Sequence, residues 1–325
     1  MNAQLSKLFL AILFAAVPVS ASLAQAWPAK PIRLVIPYPP GGQTDIVGRW
    51  LGNKLSPVLG QPIVIDNKAG AQGIVGMTAA KSSDPDGYNF IYSNASITII
   101  NKFAHAKLPY DGLTDFDTVT LMGFTPLGLA VTPALGVKNL EELIRYVKAN
   151  PGKTSFASFG NGSTAHMYGE MLNGAAGLDM LHVPYKGTAP AMADVVAGRA
   201  SAGYIDFSTM GSMIQAGKLQ VLAVTGTRRW PVYPDVPTFA EAGYPLDMAG
   251  WAGIMAPKGT PRAVIERMSV EINRIIQSAE GTKDLLEKGG IIAAGTTPAE
   301  FTDMIKRDMP RWGEAFKRSG VKPQE

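Results

Sequence analysis

Two loops carry the residue types from which an anion site can be built. They are Tyr38-Pro39-Pro40-Gly41-Gly42-Gln43-Thr44-Asp45 and Phe159-Gly160-Asn161-Gly162-Ser163-Thr164. Each follows a short apolar run, is rich in glycine, and leads into a helical pattern. A helix start offers free N–H groups and a partial positive charge, both of which attract an anion. Glycine lets the backbone approach a ligand closely, and Thr44, Ser163 and Thr164 add hydroxyls. Such loops, facing each other, would hold a small anion without any Lys or Arg. The same residues also suit plain helix starts, with Thr44 or Ser163 as N-cap. Asp206 ends the run Gly203-Tyr204-Ile205-Asp206 and reads equally as the cap of the next helix or as a group for a ligand amine or a water. Among the aromatics, Tyr38, Phe159 and Phe207 stand at loop positions and are the best placed for a pocket wall.

Other chemistries fit less well. Ser163, His166 and Asp206 would make a hydrolytic triad, but Ser163 is not in a G-x-S-x-G elbow. Its i, i+3 spacing from His166 also does not readily put the imidazole on the hydroxyl. Gly160-Asn161-Gly162-Ser163-Thr164-Ala165, with Asp179 downstream, matches a dinucleotide fingerprint, though it lies in mid-chain. The chain has no cysteine, which excludes disulfides, a thiol nucleophile and a cysteine–zinc site. The histidines His105, His166 and His182 show no metal spacing. No cofactor and no metal are expected.

Positioning these loops calls for an α/β scaffold. Apolar runs at 32–37, 62–66 and 89–93 alternate with helical patterns from Thr44 and over 74–81. A second series has strands at 127–131, 154–158, 182–185, 202–205 and 221–224, with helices at 140–148, 165–172 and 189–197. Short loops in a βα alternation imply mostly parallel sheets flanked by helices. Beyond Trp251 the pattern is mainly helical, over 261–278, 282–288 and 298–317. With 325 residues the chain suits two lobes rather than one core. A formal charge of +4 from scattered residues gives no nucleic-acid footprint. Residues 1–26 read as a cleaved signal peptide, with Lys7, an apolar run over 8–17, and Ala24-Gln25-Ala26 as the cleavage site. An uncleaved anchor is the alternative, although that run is too short to span a bilayer.

Several segments in order carry a resemblance to a known family. They include Pro31-Ile32-Arg33-Leu34-Val35-Ile36-Pro37, Pro40-Gly41-Gly42-Gln43-Thr44-Asp45, Gly70-Ala71-Gln72-Gly73 and Pro85-Asp86-Gly87-Tyr88. Further on stand Ser158-Phe159-Gly160-Asn161-Gly162-Ser163, His182-Val183-Pro184-Tyr185-Lys186-Gly187, Pro234-Asp235-Val236-Pro237-Thr238, Glu241-Ala242-Gly243, Trp251-Ala252-Gly253 and Ala256-Pro257-Lys258-Gly259-Thr260-Pro261. This set resembles the periplasmic receptors of tripartite tricarboxylate transporters, the Bug-type solute-binding proteins, over nearly the whole mature chain.

The resemblance implies a two-lobed, type II-like periplasmic binding fold with its ligand in the interlobe cleft. Lobe 1 would be 27–125 plus 246–325, and lobe 2 would be 126–245. It also implies a non-catalytic, monomeric periplasmic receptor that closes on a small organic carboxylate and passes it to membrane permease subunits. From the first lobe the implied site takes Tyr38, Pro40, Gly41, Gly42, Gln43, Thr44, Asp45, Gln72, Ser93 and Asn94. From the second it takes Phe159, Asn161, Gly162, Ser163, Thr164 and Asp206. Phe159 and Gln72 depart from the family pattern, and the extra ring favours an aromatic carboxylate. The same capture chemistry would serve a ligand sensor for a membrane signalling partner.

Overall fold

The computed structural model describes residues 27–324; the expected leader, 1–26, lies outside them. In chain order, the first lobe opens with β1 (Ile32–Ile36), α1 (Gln43–Leu59), β2 (Ile63–Asn67), α2 (Ile74–Lys81) and β3 (Asn89–Asn94). A π-helical turn, Ser96–Ile100, runs into α3 (Asn101–Ala104). Then β4 (Phe116–Thr125) and β5 (Leu127–Val131) follow end to end across Pro126. The second lobe continues with α4 (Leu140–Ala149), β6 (Ser155–Ser158), α5 (Thr164–Ala176), β7 (Leu181–Pro184), α6 (Thr188–Val196), β8 (Ala202–Asp206), α7 (Phe207–Gln215) and β9 (Gln220–Val224). The chain ends with β10 (Gly250–Pro257), α8 (Arg262–Gln277), α9 (Ala279–Glu287), β11 (Ile292–Ala293) and α10 (Pro298–Ser319).

The strands form two sheets, ordered β11-β4-β10-β3-β1-β2 and β7-β6-β8-β5-β9. The βα units pair in parallel, β1 with β2 and β3, and β6 with β7 and β8. A reversed strand is inserted inside each sheet, β10 between β3 and β4 and β5 between β8 and β9, and the short edge strand β11 also runs against β4. Each inserted strand is preceded in the chain by a strand of the other sheet, β5 by β4 across Pro126 and β10 by β9 across residues 225–249. Most strands therefore run one way, as the βα alternation implies, but both sheets are mixed.

The tail is mainly helical as expected, but it opens with a strand, β10, that the sequence pattern does not mark. All eight of its residues are buried. Its sequence, GWAGIMAP, has one β-branched residue, so its extended form comes from its neighbours rather than from propensity. Gly253 is required there, because a Cβ would collide with the Phe301 ring.

The helix α10 begins with a capping box, Thr297 with Glu300, and ends at Gly320 in the left-handed region. Near its start Phe301 packs edge-on against Trp251 of β10, ring centres 5.2 Å apart. Near its end Trp312 lies 5.9 Å from Tyr168 of α5. This helix therefore packs on both lobes, and the buried aromatics along it join their cores.

Candidate functional site

A small cavity lies between the two sheets. Five helical segments start at residues that line it or cap it. From the first lobe these are α1 and the turn at Ser96; from the second they are α5, α6 and α7. The N-cap residues of α1 and α6 are Gly42 and Gly187, and neither brings a side chain to its own helix start. In these first turns the Asp45 N–H returns to the Gly42 carbonyl at 3.0 Å and Pro190 has no N–H, which leaves the N–H groups of Gln43, Thr44, Thr188 and Ala189 for a ligand. The two loops meet across the cleft: a Cβ on Gly42 would lie 3.9 Å from Thr188 Oγ1, and one on Gly187 would lie 3.4 Å from Pro39 Cδ.

The first loop is shaped from beneath. Gly41 has φ 86°, which only glycine adopts without strain. Its N–H donates to Asp45 Oδ2 at 3.0 Å. Asn67 Nδ2 donates to Asp45 Oδ1 at 3.0 Å, and Arg49 pairs with the same oxygen at 2.9 Å. Burial pushes the Asp45 carboxyl up, but Arg49, the Gly41 N–H and Asn67 outweigh it and hold the group below the usual carboxylate range. Asp45 is thus a brace for the loop, off the cavity. The side chain of Gln43 donates to the carbonyls of Gly289 and Gly290, tying α1 to the loop after α9.

Tyr38 meets Phe159 edge-on, ring centres 6.3 Å apart, so one ring from each lobe closes a wall. Burial pushes the Tyr38 hydroxyl up to about 12 against the opposing hydrogen bond from Asn94. The Asn94 Oδ1 caps the π-helical turn through the Ile97 N–H at 3.1 Å. Across the cleft, the Thr164 N–H donates to Ser96 Oγ at 3.1 Å. The lobes are therefore closed on each other.

The second loop has its own internal support. Ser163 caps α5, accepting from the His166 N–H at 3.2 Å and donating to the Gly160 carbonyl at 2.6 Å. The His166 Nδ1 accepts from the Gly162 N–H at 2.9 Å. Its ring stacks on His182, centres 3.6 Å apart. Burial, with His166 adding to it, depresses His182 to about 3. The Ser163 hydroxyl and the His166 imidazole are thus committed to the backbone rather than to each other. Asp206, at the other end of the supposed triad, caps α7 through the Thr209 N–H at 2.8 Å. No hydrolytic relay is assembled. Asp179, the acidic residue of the fingerprint, accepts from the Gly152 N–H at 2.9 Å and holds a turn.

Of the sequence-derived residues, Tyr38, Pro40, Gly42, Gln43, Thr44, Asn94, Phe159, Thr164 and Asp206 line the cavity. Gly41, Asp45, Gln72, Ser93, Asn161, Gly162 and Ser163 do not. Ser93 is buried behind the wall, bonded to the Thr98 hydroxyl. Gln72 sits with φ 54° and ψ 39°, its Oε1 3.3 Å from His105 Nε2, and presses from the first lobe against Gly160. Asn161 borders a separate groove with His166, Glu170 and the C-terminal segment. Phe207 is buried and stacks on Trp230, not on the cavity.

Sequence reasoning missed the α6 start, Gly187, Thr188, Ala189 and Pro190, although it shows the same strand–glycine–helix signature as the other two loops. It also missed the floor, made by Thr125, Leu127, Gly250 and Trp251, where the chain passes between sheets. The Trp251 indole N–H is buried there without a partner. Among the residues lining the cavity there is no Lys, Arg or His. Among the described residues there is no cluster of His, Cys, Asp or Glu that could hold a metal ion.

Two α/β lobes joined by paired crossings and closed over a cavity of helix starts define a type II solute-binding protein. Residues 47–321 match the model of the tripartite tricarboxylate transporter family receptor, and the chain belongs to that family. It is a family of solute receptors rather than enzymes. The chain is 36% identical over 302 residues to a protein encoded in the tcbD–tcbE intergenic region of Pseudomonas sp. strain P51, covering 91% of this chain and 89% of that one. It is 35% identical to BugT of Bordetella pertussis, covering 97% and 96%. Among solved structures, R. palustris Rpa4515 with adipate is 32% identical, with TM-score 0.89 over 92% of this chain and all of that one. The periplasmic binding protein BugD is 32% identical, with TM-score 0.86 over 92% and 100%.

Proposed function

We propose that this protein is a periplasmic receptor that captures a small organic carboxylate by closing its lobes and delivers it to the membrane subunits of a tripartite tricarboxylate transporter. One observation carries the reading: uncapped helix starts from both lobes face one cavity that has no cationic side chain in its wall. Backbone N–H groups and hydroxyls can bind a carboxylate without the entropy cost of ordering long charged side chains. The solved relatives carry adipate in Rpa4515 and malate in MatC, the latter 28% identical with TM-score 0.82.

The moving units are taken as 27–125 with 246–325, and 126–245. The ligand favours the closed form because both lobes touch it only there. Residues 1–26 act as the leader. Among the described residues no helix is long and apolar enough to cross a membrane. The receptor works as a monomer, with a permease as its partner.

Thermal denaturation of ligand-free mature protein against aliphatic and aromatic carboxylates tests the reading. Binding to the folded form alone raises Tm by mass action. A rise with carboxylates but not with the matching alcohols supports it; no rise with any carboxylate refutes it.

A further inference from the structure

The wall of the cavity offers donors in many places and a carboxylate in one. Asp206 is 2% exposed and lines the cavity floor beside Leu127, its partner in the β5–β8 ladder. Its Oδ1 takes both protein hydrogen bonds, from the Thr209 N–H at 2.8 Å and from Ser208 Oγ at 2.6 Å. Among the described residues no protein donor is bonded to Oδ2, and no Lys, Arg or His lines the cavity to neutralise it. A carboxylate oxygen that borders a poorly solvated cavity without a protein donor is costly. A second ligand carboxylate set against it would add like-charge repulsion in a poorly solvated space.

Resting on the receptor reading above, we infer that the cargo is a monocarboxylate bearing a separate O–H or N–H donor, and that Asp206 Oδ2 accepts from that donor. The ligand carboxylate takes the N–H and hydroxyl groups of the helix starts. Its body lies against apolar wall, including Pro39, Leu127, Phe159 and Trp251. A doubly ionised dicarboxylate is selected against, because it offers Asp206 no donor and brings a second negative charge to a site without a cation. Capping of α7 fixes the carboxylate rotamer, so that Oδ2 is presented to the ligand without further ordering.

Calorimetric titration of the ligand-free mature receptor with two matched triplets tests this. One is hexanoate, 6-hydroxyhexanoate and adipate; the other is benzoate, 4-hydroxybenzoate and terephthalate. Within the triplet that binds, the hydroxy acid should be tighter than both companions by about tenfold or more, the usual scale for a hydrogen bond to a charged group. Asp206→Asn keeps an acceptor for the Thr209 N–H but replaces Oδ2 with an N–H donor. It should erase the preference for the hydroxy acid and move it towards the diacid. A diacid binding tightest to the wild type overturns the inference alone, and that ranking decides the matter even if the variant fails to fold. A folded Asp206→Asn protein with unchanged ranking also overturns it. No binding by any of the six compounds overturns the carboxylate reading itself, and the inference with it.

Discussion

Replacing Gly162 with alanine should weaken ligand binding although Gly162 does not line the cavity. The residue has φ 69°, and a Cβ placed on it would lie 2.6 Å from the Cβ of Ala104. Gly162 belongs to the second lobe and Ala104 to the first, so this collision exists only when the lobes are closed. The left-handed backbone is present in both forms. It costs about 1 kcal/mol of folding stability and leaves the open–closed balance unchanged. The collision acts on the closed form alone. Inserting one methyl into a packed contact costs about 1–3 kcal/mol, which corresponds to a loss of affinity of about 5- to 150-fold. Titration calorimetry gives the change in Kd, and thermal unfolding without ligand gives the separate loss of stability. Ala104→Gly in the same chain removes the opposing methyl and should restore much of the affinity while the backbone cost remains. Unchanged affinity in Gly162→Ala, or no recovery in the double variant, would refute the idea that this contact reports closure.

Three further outcomes are expected. Gly42→Asp puts a carboxylate at the uncapped start of α1, where the backbone is extended and Thr188 Oγ1 is the nearest neighbour to a Cβ. Carboxylate binding should fall by about 100-fold or more through like-charge repulsion and self-capping, with Tm nearly unchanged in a scan without ligand. His182 has its folded pKa depressed to about 3, against about 6.5 when unfolded. Its contribution is therefore present above about pH 6.5 and lost as pH falls towards 3. With allowance for partial exposure this amounts to about 1–2 kcal/mol by pH 5. Urea titrations at pH 7 and pH 5 should show His182→Gln losing less stability on acidification than the wild type, and equal losses would contradict this. Ser163→Ala should cost about 1 kcal/mol through the lost α5 cap yet change Kd by less than about threefold. A large loss of affinity would place Ser163 in contact with the ligand.

Much of the scaffold was legible where residue pattern and local chemistry agree. The helix over 74–81 and the strand over 127–131 match α2 and β5 at both ends. For α2, Gly73 in the left-handed region marks the start and Ser82 the end. The hydrophobic pattern does not set β4 apart, although Thr118-Val119-Thr120 favour extension. β10 could not be read from propensity, since its form depends on lying between β3 and β4. The reversed direction of β5 and β10 follows from their crossings, which no local pattern records. At the site, the glycine-rich loops announced themselves, but their division of labour did not. Gly42 and Thr164 face the cavity, while Asp45 and Ser163 brace the loops, because the direction of a side chain depends on the burial of its neighbours. Asp206 caps α7, one of its two sequence readings, and also lines the cavity.

The insertion of β10 between β3 and β4 also sets an order of assembly. The strands of the second sheet all lie between Leu127 and Val224, so they can pair as one continuous stretch of chain. The first sheet has a gap in its middle until Gly250–Pro257 arrives, well over a hundred residues after β3. Closing that long loop must precede the contacts that reward it, which makes the step slow. On contact order alone the second sheet is expected to form before the first is complete. The edge that β3 offers to β10 therefore has no partner until residues 250–257 are available, which ties completion of the first sheet to the distal part of the chain.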